Sequence, residues 1–297
     1  MRTLIRLCWM LALAAGLSAC DDGRLDLDVS ADRPATNLQG VFVTLQGVTL
    51  QRDDGSEQRI QLDEDVRIDL MRYISSDFSL ITGEALDEGD YTSIRFDFRD
   101  NSSGSSSRNY VVAASGGQVP LAIDDSAADA FIPLDLSIST NGNTYLVRAR
   151  FDLRLSLSEN GDEYVLRPVV RAARDTRAAS VSGSVRNSIV TSNSCRQGRS
   201  NGVGVAVYLF EGHDVEPDDY DGAEPDPIAS SAVTQSSSSS DGWVYSIEVL
   251  QPGQYTLALT CDGDQERPDQ PDDDIEFSIA DPVNFTVDEG DDRDEDF

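Results

Sequence analysis

The chain has one imidazole, His213, in the stretch EGHDVEPDDYDG. A Ser-His-Asp hydrolase would have to use it. No Gly-x-Ser-x-Gly elbow accompanies it, so the residue reads as part of a solvated loop. Carboxylates are abundant, 54 in 297 residues, and no two of them stand out as an acid/base pair in a cleft. Asp218, Asp219 and Asp221, then Asp262 and Asp264, offer hard oxygen ligands suited to calcium. The first group fails the EF-hand spacing: the position that needs an acid is Pro217, and no Glu follows twelve residues in. These aspartates are therefore weak calcium candidates, and no metal site is assigned. Trp243 and Tyr245 lie two apart in GWVYSIEV and share a strand face with Ile247. Exposed, the two rings would form a platform for a glycan; buried, they would be core. No cofactor motif is present.

Cys195 and Cys261 can do covalent chemistry with each other. In an oxidising compartment an even pair reads as a disulfide. Zinc would need more ligands than two distant cysteines and one histidine.

The elements that must hold these residues are strands. FDLRLSLSE alternates Phe151, Leu153, Leu155 and Leu157 with polar residues, the period of a strand with one wet face. Asn160-Gly161 is a hairpin turn, and EYVLRPVV returns. GVFVTLQGVTLQR, YTSIRFDF, NYVVAAS and TYLVRARF are further strands, and residues 68–82 are the one short helical piece expected. A second series, ASVSGSV, VGVAVYLF, GWVYSIEVL, GQYTLALT and VNFTVD, starts near residue 178. Acidic, proline-rich connections separate these strands and read as solvated loops. The expected fold is all-β: two tandem antiparallel β-sandwiches, at 23–175 and 178–288, with an acidic disordered tail at 289–297. Leu-x-x-Gly-x-Tyr-Thr occurs once in each series, at 86–92 and 250–256. A tight turn at the glycine followed by a strand-opening tyrosine suits a corner in which the hydroxyl bonds nearby backbone.

The 23 basic residues are all Arg, and the formal net charge is −31. Such a field repels DNA, RNA and anionic headgroups and excludes nucleic acid as a partner. The first residues run the other way. Arg2 and Arg6 precede an apolar stretch from Leu7 to Gly16, about ten residues against the roughly twenty needed to span a bilayer. Small residues follow, then Cys20.

Leu17-Ser18-Ala19-Cys20 resembles the lipobox of bacterial lipoproteins. The resemblance implies that residues 1–19 are a signal peptide removed by cleavage. It makes Cys20 the lipidation site and residues 20–22 a short tether to the membrane. LDLDVSADRPATNLQGVFVTLQGVTLQ, RIDLM, LDEGDYTSIRF and ARFDLRLSLSENGDEYVLRPVVR resemble the bacterial lipoprotein family with domain of unknown function 4382. That family implies a fold and an envelope setting and brings no catalytic residues. SVSGSV, VAVYLF, DGWVYSIEVLQPGQYTLAL and PVNFTV resemble prealbumin-like, carboxypeptidase-regulatory-like sandwiches, a carbohydrate-binding-like fold. The expectation is a non-enzymatic, lipid-anchored protein of the bacterial cell envelope, facing the periplasm or the cell surface, with a structural or interaction role. Its partners would be the membrane, through the lipid, and an envelope protein or polysaccharide. Carbohydrate binding by the second sandwich is the alternative, and calcium-dependent adhesion a weaker one.

Overall fold

The computed structural model describes residues 22–101, 108–140, 142–197, 200–237, 242–268, 270 and 275–297. Cys20, the expected leader and part of the expected tether lie outside the described residues. No helix among the described residues is long and apolar enough to cross a membrane.

The first sandwich holds twelve strands: β1 (Gly23–Asp32), β2 (Leu38–Arg52), β3 (Glu57–Asp69), β4 (Phe78–Leu86), β5 (Gly89–Phe98), β6 (Tyr110–Ala113), β7 (Gln118–Ile123), β8 (Ile132–Ile138), β9 (Thr144–Asp152), β10 (Leu157–Asn160), β11 (Glu163–Leu166) and β12 (Val170–Arg174). One sheet runs β12-β9-β1-β4. The other runs β10-β11-β7-β6-β2-β5-β8, with β3 also on β2. Alternation along the strands supplies the inner faces. Leu25, Leu27 and Val29 of β1 and Val147, Ala149 and Phe151 of β9 are completely buried in one core. The ladders β1–β9 and β7–β11 are parallel, which refines the antiparallel expectation. Their partners come from distant parts of the chain, so no tight hairpin dictates direction.

The second sandwich has β13 (Ala179–Ser184), β14 (Ala206–Glu211), β15 (Ala229–Ala232), β16 (Thr234–Gln235), β17 (Trp243–Leu250), β18 (Gly253–Thr260), β19 (Val283–Val287) and β20 (Asp292–Asp294). Its sheets are β16-β17-β13-β20 and β15-β14-β18-β19. Cys195 and Cys261 form a disulfide that closes a 66-residue separation, with Cα atoms 4.8 Å apart.

Three expectations are corrected. The tail at 289–297 is ordered. Its strand β20 runs parallel to β13, Phe297 is buried in the core, and Tyr245 donates to the Glu295 carbonyl. Gly183 makes this possible, because a Cβ there would overlap the Glu295 carbonyl. The backbone ladder and one aromatic anchor outweigh the mutual repulsion of the acidic side chains.

The strand predicted through FDLRLSLSE is broken at Asp152. A helical turn, Leu153–Ser156, intervenes because the Asp152 carboxylate accepts the amide N–H groups of Arg154 and Leu155 as an N-cap. Residues 68–82 contain only a 3-10 turn at Leu70–Tyr73 before β4 begins. Further helical turns lie at Asp125–Ala128, Asp175–Arg177, Asn187–Val190 and Asn193–Arg196.

Candidate functional site

The turn at Leu153–Ser156 projects from the first sandwich onto the second. Leu155 is buried against Ala206, Tyr208, Phe210 and Ala258 on the outer face of β14 and β18. Around it the two sandwiches share a buried charged network. In the β1–β9 ladder Asp32 stands opposite Asp152, and in the β9–β12 ladder Arg150 stands opposite Arg171. Like charges directly across a ladder repel. Diagonal pairing offsets that repulsion. Arg150 Nε lies 2.7 Å from Asp32 Oδ1, Arg171 Nη2 lies 2.8 Å from Asp32 Oδ2, and Arg171 Nη1 lies 3.7 Å from Asp152 Oδ2.

The second sandwich closes both ends of this chain of charges. Glu248 on β17 takes Arg150 Nη1 at 2.8 Å, and its carbonyl accepts Arg171 Nε at 3.1 Å. At the other end the Ser230 amide donates to Asp152 Oδ2 at 2.5 Å, and the Ser230 hydroxyl lies 3.0 Å from the same carboxylate. Burial pushes the Asp152 carboxyl above the ordinary range, and the neighbouring Asp32 charge pushes the same way; Arg171 and the amide donors oppose them. An unpaired charge this deep would cost several kcal/mol, so each partner is needed for the others to stay buried.

Smaller links repeat the pattern along the seam. Arg154 donates to the Gly263 carbonyl, Arg167 to the Pro268 carbonyl at 2.8 Å, and Gln251 to the carbonyls of Pro133 and Ala172 at 2.7 and 3.1 Å. Arg177 ion-pairs with Asp135 of its own sandwich and with Glu289 near the C-terminus. Buried Tyr208 donates to Glu266 at 2.9 Å, and burial raises its phenol well above the usual value.

Beside the network the two sandwiches leave a cleft of about 440 Å³. Phe131, Ile132 and Val170 line it from the first sandwich, and Phe210, Val215 and Ile228 from the second. The volume falls in the roughly 300–1,000 Å³ range of small-ligand sites. Glu211, Glu224 and Asp226 also line it, and the one cation there, Arg171, is committed to Asp32 and Asp152.

The residues singled out by sequence fall elsewhere. Trp243 and Tyr245 are packed into the second core, 8% and 3% exposed. The indole donates to Asn187 and the phenol to the Glu295 carbonyl. These rings present no open face for a sugar, so of the two readings the core one holds and the alternative glycan platform does not: the apolar alternation that placed them together also turned them inward.

His213 is exposed, with Nε2 2.9 Å from the Phe285 carbonyl. Asp218 and Asp221 cap their own loop: Asp218 accepts the Asp219 amide, and Asp221 accepts that of Ala223. Asp219 is buried. Asp262, also buried, accepts from Gln197 and Gln265, while Asp264 is exposed. Among the described residues no three His, Cys, Asp or Glu side chains converge on a metal position.

The loop that carries Asp218 is less solvated than its composition implies. Val215 and Tyr220 pack on the cluster around Leu155. Sequence reasoning missed Asp32, Arg150, Asp152, Arg171, Ser230 and Glu248. The one local signal was a charged pair, Asp152 and Arg154, inside an apolar run.

No curated protein matches the chain. Among solved structures it is similar to the Bacillus anthracis TIE protein (8% identity, TM-score 0.23). The match covers 93% of this chain and 34% of that one, so this chain spans about a third of that protein's length. A putative adhesin from Bacteroides ovatus matches at 10% identity and TM-score 0.19, over 96% of this chain and 88% of that one. GBS52, the minor pilin of Streptococcus agalactiae, matches at 12% identity and TM-score 0.20, over 92% and 94%. At these TM-scores nothing about function passes from them to this chain. Residues 22–168, all but the last strand of the first sandwich, match the model of a family described as Domain of unknown function (DUF4382).

Proposed function

We propose that this is a non-enzymatic, lipid-anchored protein of the bacterial cell envelope whose two sandwiches act as one rigid body for contact with an envelope partner. The observation that supports this reading is the network from Glu248 through Arg150, Asp32, Arg171 and Asp152 to Ser230. Asp152, the most deeply buried charged side chain among the described residues, meets Ser230 of the second sandwich. The bonds that cross the seam are the Ser230 donors to buried Asp152 and the Glu248 carbonyl that takes Arg171; leaving either buried group short of its partner costs about 1–3 kcal/mol, which opposes free rotation of the two units. Leu17-Ser18-Ala19-Cys20 supplies the anchor in this reading, with two or three acyl chains because one holds only weakly.

The test is metabolic labelling with an alkyne fatty acid, followed by membrane fractionation. The wild-type chain should carry label and sediment with membranes; Cys20→Ala should carry none and be released. Label that persists in Cys20→Ala would sink the anchor. In-cell crosslinking of the wild type should then capture a reproducible envelope protein, lost when residues 178–297 are deleted.

A further inference from the structure

We infer that the cleft between the sandwiches binds an extended peptide segment in which an Arg or Lys stands beside a bulky apolar residue. This deepens the proposed interaction role and rests on it.

Among the described residues Val203 is the one large hydrophobic side chain classed as exposed. Phe131, Ile132, Val169, Val170, Val215 and Ile228 are each partly buried, and all line the same space. Apolar surface gathered in one concavity favours an apolar guest. Tyr220 lies among Pro225 and Pro227 on one side, a stiff rim that loses little entropy on binding.

The charge of the cleft selects the guest further. Glu211 and Glu224 are exposed at its edge, and Asp226 is half-buried. None of the three forms an ion pair among the described residues, Asp226 Oδ1 already accepts the amides of Asp221 and Gly222, and Arg171 is neutralised, which leaves Glu211 and Glu224 as the open carboxylates. A purely apolar guest would cover the walls and strip water from these carboxylates without replacing it. A bare cation would satisfy the carboxylates and leave the walls wet. An Arg or Lys side chain beside Leu or Phe does both, because its stem is apolar and its head is charged.

The test uses the purified lipidated chain in non-ionic detergent at low salt. The probes are acetyl-Leu-Arg-Phe-amide and its neutral counterpart acetyl-Leu-Gln-Phe-amide, measured by calorimetry. Exposed charge pairs each contribute a factor of a few. The Arg peptide should therefore bind about tenfold more tightly than the Gln peptide. Glu211→Gln combined with Glu224→Gln should abolish most of that preference, chiefly by weakening the Arg peptide. Both positions are exposed, so the variant should melt like the wild type. Val215→Trp, which fills the cleft, should weaken both peptides.

Equal affinities, no binding, or an Arg preference that survives the double substitution would overturn the inference. The last outcome would assign the preference to the overall negative field. Crosslinking separates this failure from failure of the interaction role. A partner still captured by the double variant would leave that role standing and remove the cleft from it. Absence of any partner in the wild type would remove the role itself.

Discussion

The two Leu-x-x-Gly-x-Tyr-Thr segments fold the same way and serve different ends. In each, the tyrosine ring is buried and its hydroxyl donates to the carbonyl four residues upstream: Tyr91 to Asp87 at 3.0 Å, Tyr255 to Gln251 at 2.7 Å. This is the corner expected of a sandwich. The surroundings differ. Tyr91 is bound within its own sandwich, with Arg52 over its ring and Gln58 and Arg52 on its hydroxyl. The second corner turns outward. The carbonyl of Gln251 takes the tyrosine, while its side-chain amide crosses the seam to Pro133 and Ala172. The first sandwich closes on itself, and the second is finished by its neighbour. A local motif fixes a turn; contacts from far along the chain decide what the turn is for.

The largest expected effect comes from breaking the seam that makes the corners unequal. Asp152→Ala removes an N-cap, the acceptor of the Ser230 amide and hydroxyl, and one of the two carboxylates beside Arg171 in one step. It should cost about 3–5 kcal/mol. Denaturant unfolding should change from one cooperative transition to two, the second sandwich melting first. A single unshifted transition would mean that Asp152 does not carry the coupling between the sandwiches.

Within the second sandwich the disulfide should matter next. Replacing Cys195 and Cys261 with Ser should cost about 2–4 kcal/mol. In the Asp152→Ala background the loss should appear in only one of the two transitions. An equal loss in both would contradict the assignment of the disulfide to one unit.

The glycines of the two corners should respond unequally. Gly89 has φ +152°, where a side chain is strained; Gly253 has no such constraint, and an added Cβ would only press on the Tyr255 ring at 3.2 Å. Gly89→Ala should cost about 1–3 kcal/mol and Gly253→Ala less. Gln251→Ala should cost about 1 kcal/mol and ease separation of the sandwiches, leaving the Tyr255 bond to the backbone intact. Equal thermal shifts for the two glycine variants would remove the distinction between the corners.

The corners were legible in the sequence because everything they need lies within seven residues. The disulfide was legible because the expected lipoprotein leader and lipidated Cys20 leave two cysteines to pair. The seam was not. Asp32 gathers Arg150 and Arg171 from 118 and 139 residues away, and Arg150 then crosses to Glu248, 98 residues further on. In FDLRLSLSE the polar residues looked like the wet face of a strand, although Asp152 is completely buried. Period two cannot separate a side chain facing water from one facing a second domain. The acidic tail misled for a related reason: its charge was visible, and the glycine on β13 that receives it was not.

The smallest expected effect separates the two corner tyrosines by titration. Burial pushes the Tyr255 phenol up to about 12, and the nearby Glu211 charge adds to this while Arg171 opposes it. Burial also raises Tyr91, but Arg52 bonded to its hydroxyl favours the phenolate. For a group raised in the folded state, the stabilisation is full below the unfolded value near 10 and is lost as pH rises through the folded one. The contribution of Tyr255 should therefore hold to pH 10 and disappear between 10 and about 12. Subtracting the alkaline absorbance curves of Tyr91→Phe and Tyr255→Phe from that of the wild type isolates each phenol. Tyr91 should ionise first, because a guanidinium meets its hydroxyl and only a carbonyl meets that of Tyr255. Simultaneous ionisation would mean that Arg52 does not hold the first corner in solution, and the two corners would then differ only in the seam.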